Sequence, residues 1–242
     1  MSRLPTLLMT ATIDPGAMPM VARRDPQQRL RDYEWALGGW LASGGVRRIV
    51  FCENSGHDLA SLKRLCAAYP QVEVEFLRIR GGGDVSRGKG HAELGIIAEA
   101  LGQSRLIEAA TVLVKCTGRL QVQNAPRVLD DIARGEFDVM CTIRRRGRFA
   151  DSRLFAATPA FFREQLIPRS GQIDDSRGVY LEHVLARAVR AAVDAGGRWR
   201  PFPTRPRIAG ISGTRGLVLT ESPATSLLKA MWHRVLNLRH GG

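Results

Sequence analysis

Apolar and polar positions along the first half of the chain follow a strand–helix rhythm. Leu7 to Ile13 is an apolar run of strand length. A Pro/Gly-rich loop follows, Asp14 to Asp25. Residues 28–42 place Leu30, Tyr33, Leu37 and Trp40 or Leu41 on one face, which predicts an amphipathic helix ended by Gly44-Gly45. Val46 to Cys52 predicts a second strand, residues 58–68 a helix, and the alternation from Val72 to Ile79 a third strand. After the loop Arg80-Gly-Gly-Gly-Asp84, the segment Ser86-Arg-Gly-Lys-Gly-His-Ala-Glu93 opens a long helix through Leu101, with a short helical piece at 104–109. Thr111 to Cys116 predicts a fourth strand, 126–134 a helix, and Phe137 to Ile143 a fifth strand. Strands alternating with helices predict an α/β fold: a mostly parallel sheet covered on both faces.

Beyond residue 144 the pattern loosens. Arg144 to Arg148 is a basic turn, and Asp151 to Ala157 leads into a helix at 159–166. A further helix is predicted at 179–194, then an irregular basic stretch from Trp199 to Arg215. Ser222-Pro223 is a good cap and first-turn pair for a last helix. That helix aligns Leu228, Met231 or Trp232, Val235 and Leu238, with Lys229, His233, Arg234, Arg239 and His240 as its cations. Residues 1–215 are therefore read as one catalytic domain, and 216–242 as an amphipathic basic tail. The tail suits an anionic membrane surface through 222–240. It suits equally the main domain or a second subunit, and packing of that kind is the commoner outcome.

Composition narrows the class. The chain has 242 residues and 44% hydrophobic content, enough for one good-sized core. No apolar run approaches the roughly 20 residues needed to span a bilayer. The opening MSRLPTLLMTATI reads on as a strand rather than as a signal peptide. Cys52, Cys66, Cys116 and Cys141 have no metal-ligand spacing and lie in apolar runs, so reduced, buried thiols and a cytoplasmic location are expected.

Charge adds a clue about partners. Lys and Arg number 36 against 23 Asp and Glu, a net charge of +13. Such an excess favours nucleic acid, anionic lipid or phosphorylated substrates. Only four of the 36 are lysine (Lys63, Lys89, Lys115 and Lys229). GC-rich coding accounts for arginine over lysine but not for the excess over acids. Nucleic acid is the weakest of these partners, because zinc-finger spacing, an aromatic-rich RNA-binding signature and a basic tail of Lys/Arg density are all absent.

In open α/β sheets ligands bind beyond the carboxyl ends of the strands. Thr10 and Thr12, then Glu53, Asn54 and Ser55, then Lys115, Thr117, Gly118 and Arg119 fall there. Turn chemistry is the plain alternative for Asn54-Ser55-Gly56. Arg87-Gly-Lys-Gly90 at a helix start offers close backbone approach, free N–H groups and the Lys89 charge to a diphosphate. It is neither a Walker loop nor a dinucleotide fingerprint, and a flexible loop with a solvated Lys89 is the alternative. Lys115 ends an apolar strand, so it must reach a polar crevice or a structural acid such as Glu93. With Arg119 it could hold a pyrophosphate and stabilise its departure. Glu182 and His183 lie beside the apolar face of the 179–194 helix, where a carboxylate or imidazole could act as base. Asp151 is a third candidate; Asp174 and Asp175 read as caps. D-x-D does not occur, and no cation site can be built from the spacing.

Taken in order, these segments resemble the GT-A-fold, nucleotide-sugar-dependent glycosyltransferases over residues 5–195. The first strand ends in Thr10-Ala-Thr-Ile13, where that family begins its nucleotide pocket, and the second in Glu53-Asn-Ser55, where it contacts the base. Gly88-Lys-Gly90 resembles the segment before the family's donor-binding helix, and the helix of Glu182 resembles its acceptor-side helix. More narrowly, Phe51-Cys-Glu-Asn-Ser-Gly56, Lys89-Gly-His-Ala-Glu93 and Lys115-Cys-Thr-Gly-Arg119 resemble uncharacterised bacterial proteins linked to capsule and lipopolysaccharide assembly. The resemblance implies transfer of a glycosyl unit from a diphosphate-activated donor to a surface-glycan or lipid-linked acceptor. Thr10, Thr12, Glu53, Asn54 and Ser55 would lie at the donor, with Lys89, Gly90, Lys115, Thr117, Gly118 and Arg119 around its diphosphate. Glu182, His183 or Asp151 would face the acceptor. Lys115-Cys-Thr-Gly-Arg119 stands where the family carries the metal-binding D-x-D. Cations would then do the metal's work, so no cofactor is expected, with Mg²⁺ or Mn²⁺ left open, and phosphoribosyl pyrophosphate suits the pocket as well as a nucleotide sugar. Three rivals remain: a sugar nucleotidyltransferase, an inactive glycosyltransferase homologue and a nucleic-acid-binding protein.

Overall fold

The structure is a computed structural model, and it describes residues 4–16, 21–80, 85–211, 218, 219 and 229. The helix expected after Ser222 and nearly all of the 216–242 tail lie outside the described residues.

The fold is α/β, and its order follows the hydrophobic rhythm. β1 (Thr6–Ala11), α1 (Pro26–Ala42), β2 (Arg48–Glu53), α2 (Ala60–Ala67), β3 (Glu73–Arg78), α3 (Lys89–Gln103), α4 (Arg105–Glu108) and β4 (Leu113–Thr117) alternate as expected. They are followed by β5 (Leu120–Val122), α5 (Ala125–Arg134), β6 (Val139–Arg144), β7 (Phe149–Ala157) and a π-helical turn at Phe161–Leu166. Then come α6 (Leu181–Asp194), β8 (Trp199–Arg200), β9 (Ile208–Ile211) and β10 (Val218–Leu219). Local chemistry sets the helix ends. Asp25 accepts from the Gln27 N–H at 3.0 Å and Pro26 fills the first turn, so α1 starts there. Gly44, at φ 72°, follows its end.

Seven strands form the main sheet in the order β3-β2-β1-β4-β7-β6-β8. All run the same way except β7, which pairs antiparallel with both β4 and β6. A small antiparallel sheet, β10-β9-β5, stands beside it. The strand β7 differs from the sequence reading, which leaves 151–157 as a lead into a helix. Its run Asp151-Ser-Arg-Leu-Phe-Ala-Ala157 mixes polar and apolar positions because its first residues serve the ligand end and its last the core. β5, β8 and β9 are likewise too short to show a period.

One face of the sheet packs on α1, α2 and α5 through Leu37, Trp40, Leu62, Val128 and Ile132. The other packs on α3, α4 and α6 through Leu94, Ile97, Val184, Leu185 and Val189. Cys52, Cys116 and Cys141 are buried free thiols, and burial pushes Cys116 and Cys141 up to about 12. Cys66 is half-buried, against the expectation of full burial, because it lies on α2 near the surface. No helix among the described residues is long and apolar enough to cross a membrane.

The single reversed strand matters for the site. The carboxyl ends of β1, β2, β4 and β6 share one edge of the sheet with the amino end of β7. The β6–β7 turn lies at that edge and is strained. Arg145 and Arg146 sit at φ 51° and 54°, where a side chain costs about 1–2 kcal/mol per residue.

Candidate functional site

A cavity of about 280 Å³ opens at this edge of the sheet. β1 supplies Thr10 and Thr12, β4 and its exit Thr117 and Arg119, α1 Arg29 and Tyr33, and α3 Lys89, Gly90 and Glu93. From the far side come Ser152 and Arg153 of β7, then Asp175, Tyr180 and Glu182 around the start of α6.

Lys115 lies beneath this cavity rather than in it. Its position on β4 faces the α3 side of the sheet, between Leu8 and Phe155, and its side chain is 0% exposed. Three acceptors meet its Nζ: Glu93 Oε1 at 2.7 Å, the Ser152 carbonyl at 2.7 Å and Thr117 Oγ1 at 3.2 Å. An ammonium has three donors, so none is left for a phosphate. The alternative weighed from the sequence, pairing with Glu93, is the one observed. Glu93 Oε1 also accepts from Thr10 Oγ1 at 2.7 Å and approaches Thr117 Oγ1 at 3.5 Å. Thr10 and Thr117 therefore line the cavity while tying its floor together.

The second-strand segment lies off the cavity. Glu53 is fully buried, and its Oε1 accepts from the Ile13 and Ser55 N–H groups at 3.0 and 2.9 Å and from the Ser55 hydroxyl. Ser55 Oγ accepts in turn from the Asp14 N–H at 2.9 Å, and Asn54 Oδ1 from Thr12 Oγ1 at 2.7 Å. None of the three lines the cavity; they pin the loop after β1. Gly118 is a packing glycine. Its N–H donates to the Thr10 carbonyl at 3.0 Å, and a Cβ there would lie 2.5 Å from that oxygen.

Arg119 is the cation the cavity leaves unsatisfied, and Asp175 Oδ1 is the buried lining oxygen without a partner. Arg119 is 5% exposed, and its Nε and Nη1 are buried with no hydrogen-bond partner. The nearby buried acid Asp32 is bonded to Arg23 through Oδ1 at 2.8 Å; its Oδ2 has no hydrogen-bond partner, and the charge of Arg119 acts on it without a bond. Arg29 is also buried, but it donates to the carbonyls of Thr12, Ile13 and Arg23 and to the Tyr33 hydroxyl. Burial pushes its guanidinium down from the usual arginine value, and the charge of Arg119 adds to that. Lys89, at the first turn of α3, is pushed down by burial and by Arg119 and Arg29, with Asp175 and Glu182 pulling it back up. Three cations thus converge on one cavity.

The start of α3 is shared with a carboxylate. Asp175 Oδ2 lies 3.5 Å from the Gly90 N–H. Gly88 sits at φ 102°, and a Cβ on it would lie 2.3 Å from the Asp175 carboxyl. Asp174 alone is the cap, accepting from the N–H groups of Ser176 and Arg177 at 3.1 and 3.3 Å.

The acceptor-side candidates separate. Glu182 lines the cavity and accepts from Ser152 Oγ at 2.8 Å through Oε1. His183 does not line it. Its Nδ1 accepts from the Tyr180 N–H at 3.1 Å, so it closes the first turn of α6, stacked on Tyr180 and edge-on to Phe149. Asp151 is buried and also off the cavity. It grips Arg153 with bonds of 2.8 and 2.6 Å, and Arg144 lies at 3.4 Å. Burial alone raises its carboxyl, but the Arg153 bonds and both arginine charges outweigh that and hold it below the usual aspartate range. An acid held so low is a poor base, and its work is to aim Arg153 at the cavity.

Arg29, Tyr33, Ser152, Arg153 and Asp175 are missed by sequence reasoning. Arg29 left a signal, since it falls on the same helical stripe as Tyr33 and Leu37. Ser152 and Arg153 left none without β7 in place, and Asp175 reads from the sequence only as a cap.

The residues after β4 do not fit a divalent cation. The stretch Lys115 to Arg119 offers no carboxylate; of the three that line the cavity, Glu93 is held by Lys115, Glu182 accepts from Ser152 and Asp175 lies against the start of α3, and the described residues bring no three His, Cys, Asp or Glu together as ligands.

No family model matches the sequence, and no curated protein matches it. Solved structures do resemble it in fold. The inositol-1-phosphate CTP transferase of T. maritima is 12% identical over 96% of this chain and 97% of its own, with a TM-score of 0.50. A protein assigned as a glucose-1-phosphate thymidylyltransferase, from Bacillus anthracis, is 10% identical over 95% of each chain, with a TM-score of 0.50. The glycosyltransferase GlyE of Streptococcus pneumoniae is 9% identical over 84% of this chain and 46% of its own, with a TM-score of 0.54. At these identities the likeness is one of fold: a single α/β domain with a mostly parallel sheet, as in nucleotidyl- and glycosyltransferases.

Proposed function

We propose that this protein is a glycosyltransferase that uses a diphosphate-activated donor, a nucleotide sugar or phosphoribosyl pyrophosphate. Its acceptor is a glycan of the bacterial surface, of the capsule or lipopolysaccharide kind. The observation that carries this reading is Arg119. A buried guanidinium with two partnerless nitrogens, beside Lys89 and Arg29, is a charge awaiting an anion. A phosphate in the cavity supplies the counter-charge, and rotation about the arginine's last torsions brings Nε and Nη1 onto its oxygens.

The chemistry follows from where charge develops. The bond between the anomeric carbon and the diphosphate oxygen breaks, and its electron pair leaves with the diphosphate. Arg119 and Lys89 stabilise that charge, and Arg29 contributes its field while its N–H groups hold the loop after β1. An acceptor hydroxyl forms the new bond to the anomeric carbon, and its proton passes to Glu182, held in place by Ser152. Lys115 and Glu93 support the floor without touching substrate.

The test is a donor screen with chelator present, read as product formation and as thermal shift. Glycosyl transfer that survives chelation, and that drops about 100-fold or more in Glu182→Gln with KM little changed, supports the reading. Release of pyrophosphate from a nucleoside triphosphate and a sugar 1-phosphate, with no glycosyl transfer, would replace it with a nucleotidyltransferase.

A further inference from the structure

A second hollow, of about 340 Å³, lies between the β6–β7 turn and the outer face of α6. Its wall carries Arg148, Arg187, Arg190 and His183, with Asp194 as the acid and Gly147 at the turn. Arg187 donates to Gln172 Oε1 at 3.1 Å, whereas the side chains of Arg148 and Arg190 make no hydrogen bond or ion pair among the described residues. A Cβ on Gly147 would lie 3.2 Å from Arg190 Nη2, so that guanidinium lies close over the turn. With Nδ1 of His183 accepting the Tyr180 N–H, the ring's proton resides on Nε2, a further donor.

We propose that this hollow is a second anion site, and that it takes a phosphate group of the acceptor. Three observations carry this. The wall gathers three guanidiniums and an imidazole donor against one carboxylate. The four-residue turn 145–148 is built against backbone preference: Arg145 and Arg146 occupy left-handed positions that favour Gly and Asn. Arg145 there lies 5.0 Å over the Phe149 ring, which meets His183 edge-on at 5.5 Å, so the strained turn is anchored to the wall.

The third observation is continuity with the cavity. Glu182 lines the cavity and His183, the next residue, lines the hollow, so the first turn of α6 is their common wall. Asp151 makes a second link, joining Arg153 at the cavity to Arg144 at the turn. An acceptor held by its phosphate in the hollow reaches across one helical turn to present a hydroxyl to Glu182. This placement rests on the glycosyl-transfer reading; the anion site itself does not.

Calorimetric titration of the full chain with inorganic pyrophosphate at low salt tests it, since exposed charges are screened at high salt. Two binding events are expected. The double variant R187Q/R190Q, at exposed positions, is expected to lose one event through a fall of about tenfold or more in its affinity. Arg119→Gln is expected to lose the other. An isotherm of R187Q/R190Q identical to the unaltered protein overturns the second site. Loss in R187Q/R190Q but none in Arg119→Gln upholds the second site and sinks the diphosphate reading of the cavity. Sedimentation with phosphatidylglycerol and phosphatidylcholine vesicles separates the source of the phosphate. If R187Q/R190Q loses binding to the anionic vesicles while both pyrophosphate events persist, the face belongs to a lipid surface and the proposal falls.

Discussion

Replacing Arg119 by methionine separates the stability of the cavity from its chemistry. In the protein without donor, the buried guanidinium leaves Nε and Nη1 without partners. Each such group costs about 1–3 kcal/mol, more when charged. Methionine has similar length and no polar atom, so the substitution removes roughly 2–6 kcal/mol of desolvation. Imperfect packing returns about 1–2 kcal/mol of that. A net gain of roughly 1–4 kcal/mol raises Tm by several degrees, at about 2–4 °C per kcal/mol for a chain of this size. The same change removes two charge-assisted hydrogen bonds to the donor, which lowers diphosphate affinity by about 100-fold or more. Differential scanning fluorimetry with and without pyrophosphate reads both effects: a higher melting point alone, and a lost shift with ligand. A variant that melts below the unaltered protein refutes the reasoning, because Arg119 would then be holding the fold together rather than awaiting an anion.

Lys115→Met leaves the Glu93 carboxylate under the cavity without its cation, which should lower stability by about 3–5 kcal/mol in urea unfolding. Gly118→Ala drives a methyl to 2.5 Å from the Thr10 carbonyl, so the β1–β4 edge must part; loss of pyrophosphate binding together with a lower Tm is the expected result. The Asp151 carboxyl is held below its ordinary value of 3.8, so its contribution is complete above that pH and is lost as pH falls through the depressed folded value. The stability gap between the protein and Asp151→Asn, followed by denaturant midpoint, should therefore narrow on acidification from pH 5, and a gap that stays constant contradicts the Arg153 pairing.

The parallel half of the fold was legible because β1, β2 and β4 are short apolar runs and β3 alternates, with helices setting them apart. β7 was not, because its amino end carries Asp151, Ser152 and Arg153 for the site and only its later residues are apolar. Its absence from the reading also hid the cavity's far wall. The candidate residues were found by position, at the carboxyl ends of strands, and position does not give direction. Thr10, Thr12, Lys89, Gly90, Thr117, Arg119 and Glu182 do line the cavity. Glu53, Asn54, Ser55 and Gly118 sit within a few residues of it but spend polar groups, or the lack of a side chain, on the backbone and on one another and Thr12. Lys115 shows the limit most sharply, since one residue along a strand decides whether an ammonium meets substrate or a buried carboxylate. His183 and Glu182 are neighbours on one helix, and only the surrounding strands decide which hollow each faces.

The buried ammonium under the cavity also bears on how the chain folds. Its three acceptors come from α3, β4 and β7, separated by up to 37 residues from Lys115. Until β7 has docked, burying that amine leaves it short of an oxygen, so its last water is released only when β7 closes on β4. Completing this edge thus waits on a pairing 37 residues away along the chain, the kind of non-local contact that slows folding. A chain in which β7 is undocked lacks both an acceptor for the amine and the Ser152–Arg153 wall, so a ligand that needs that wall favours the completed fold.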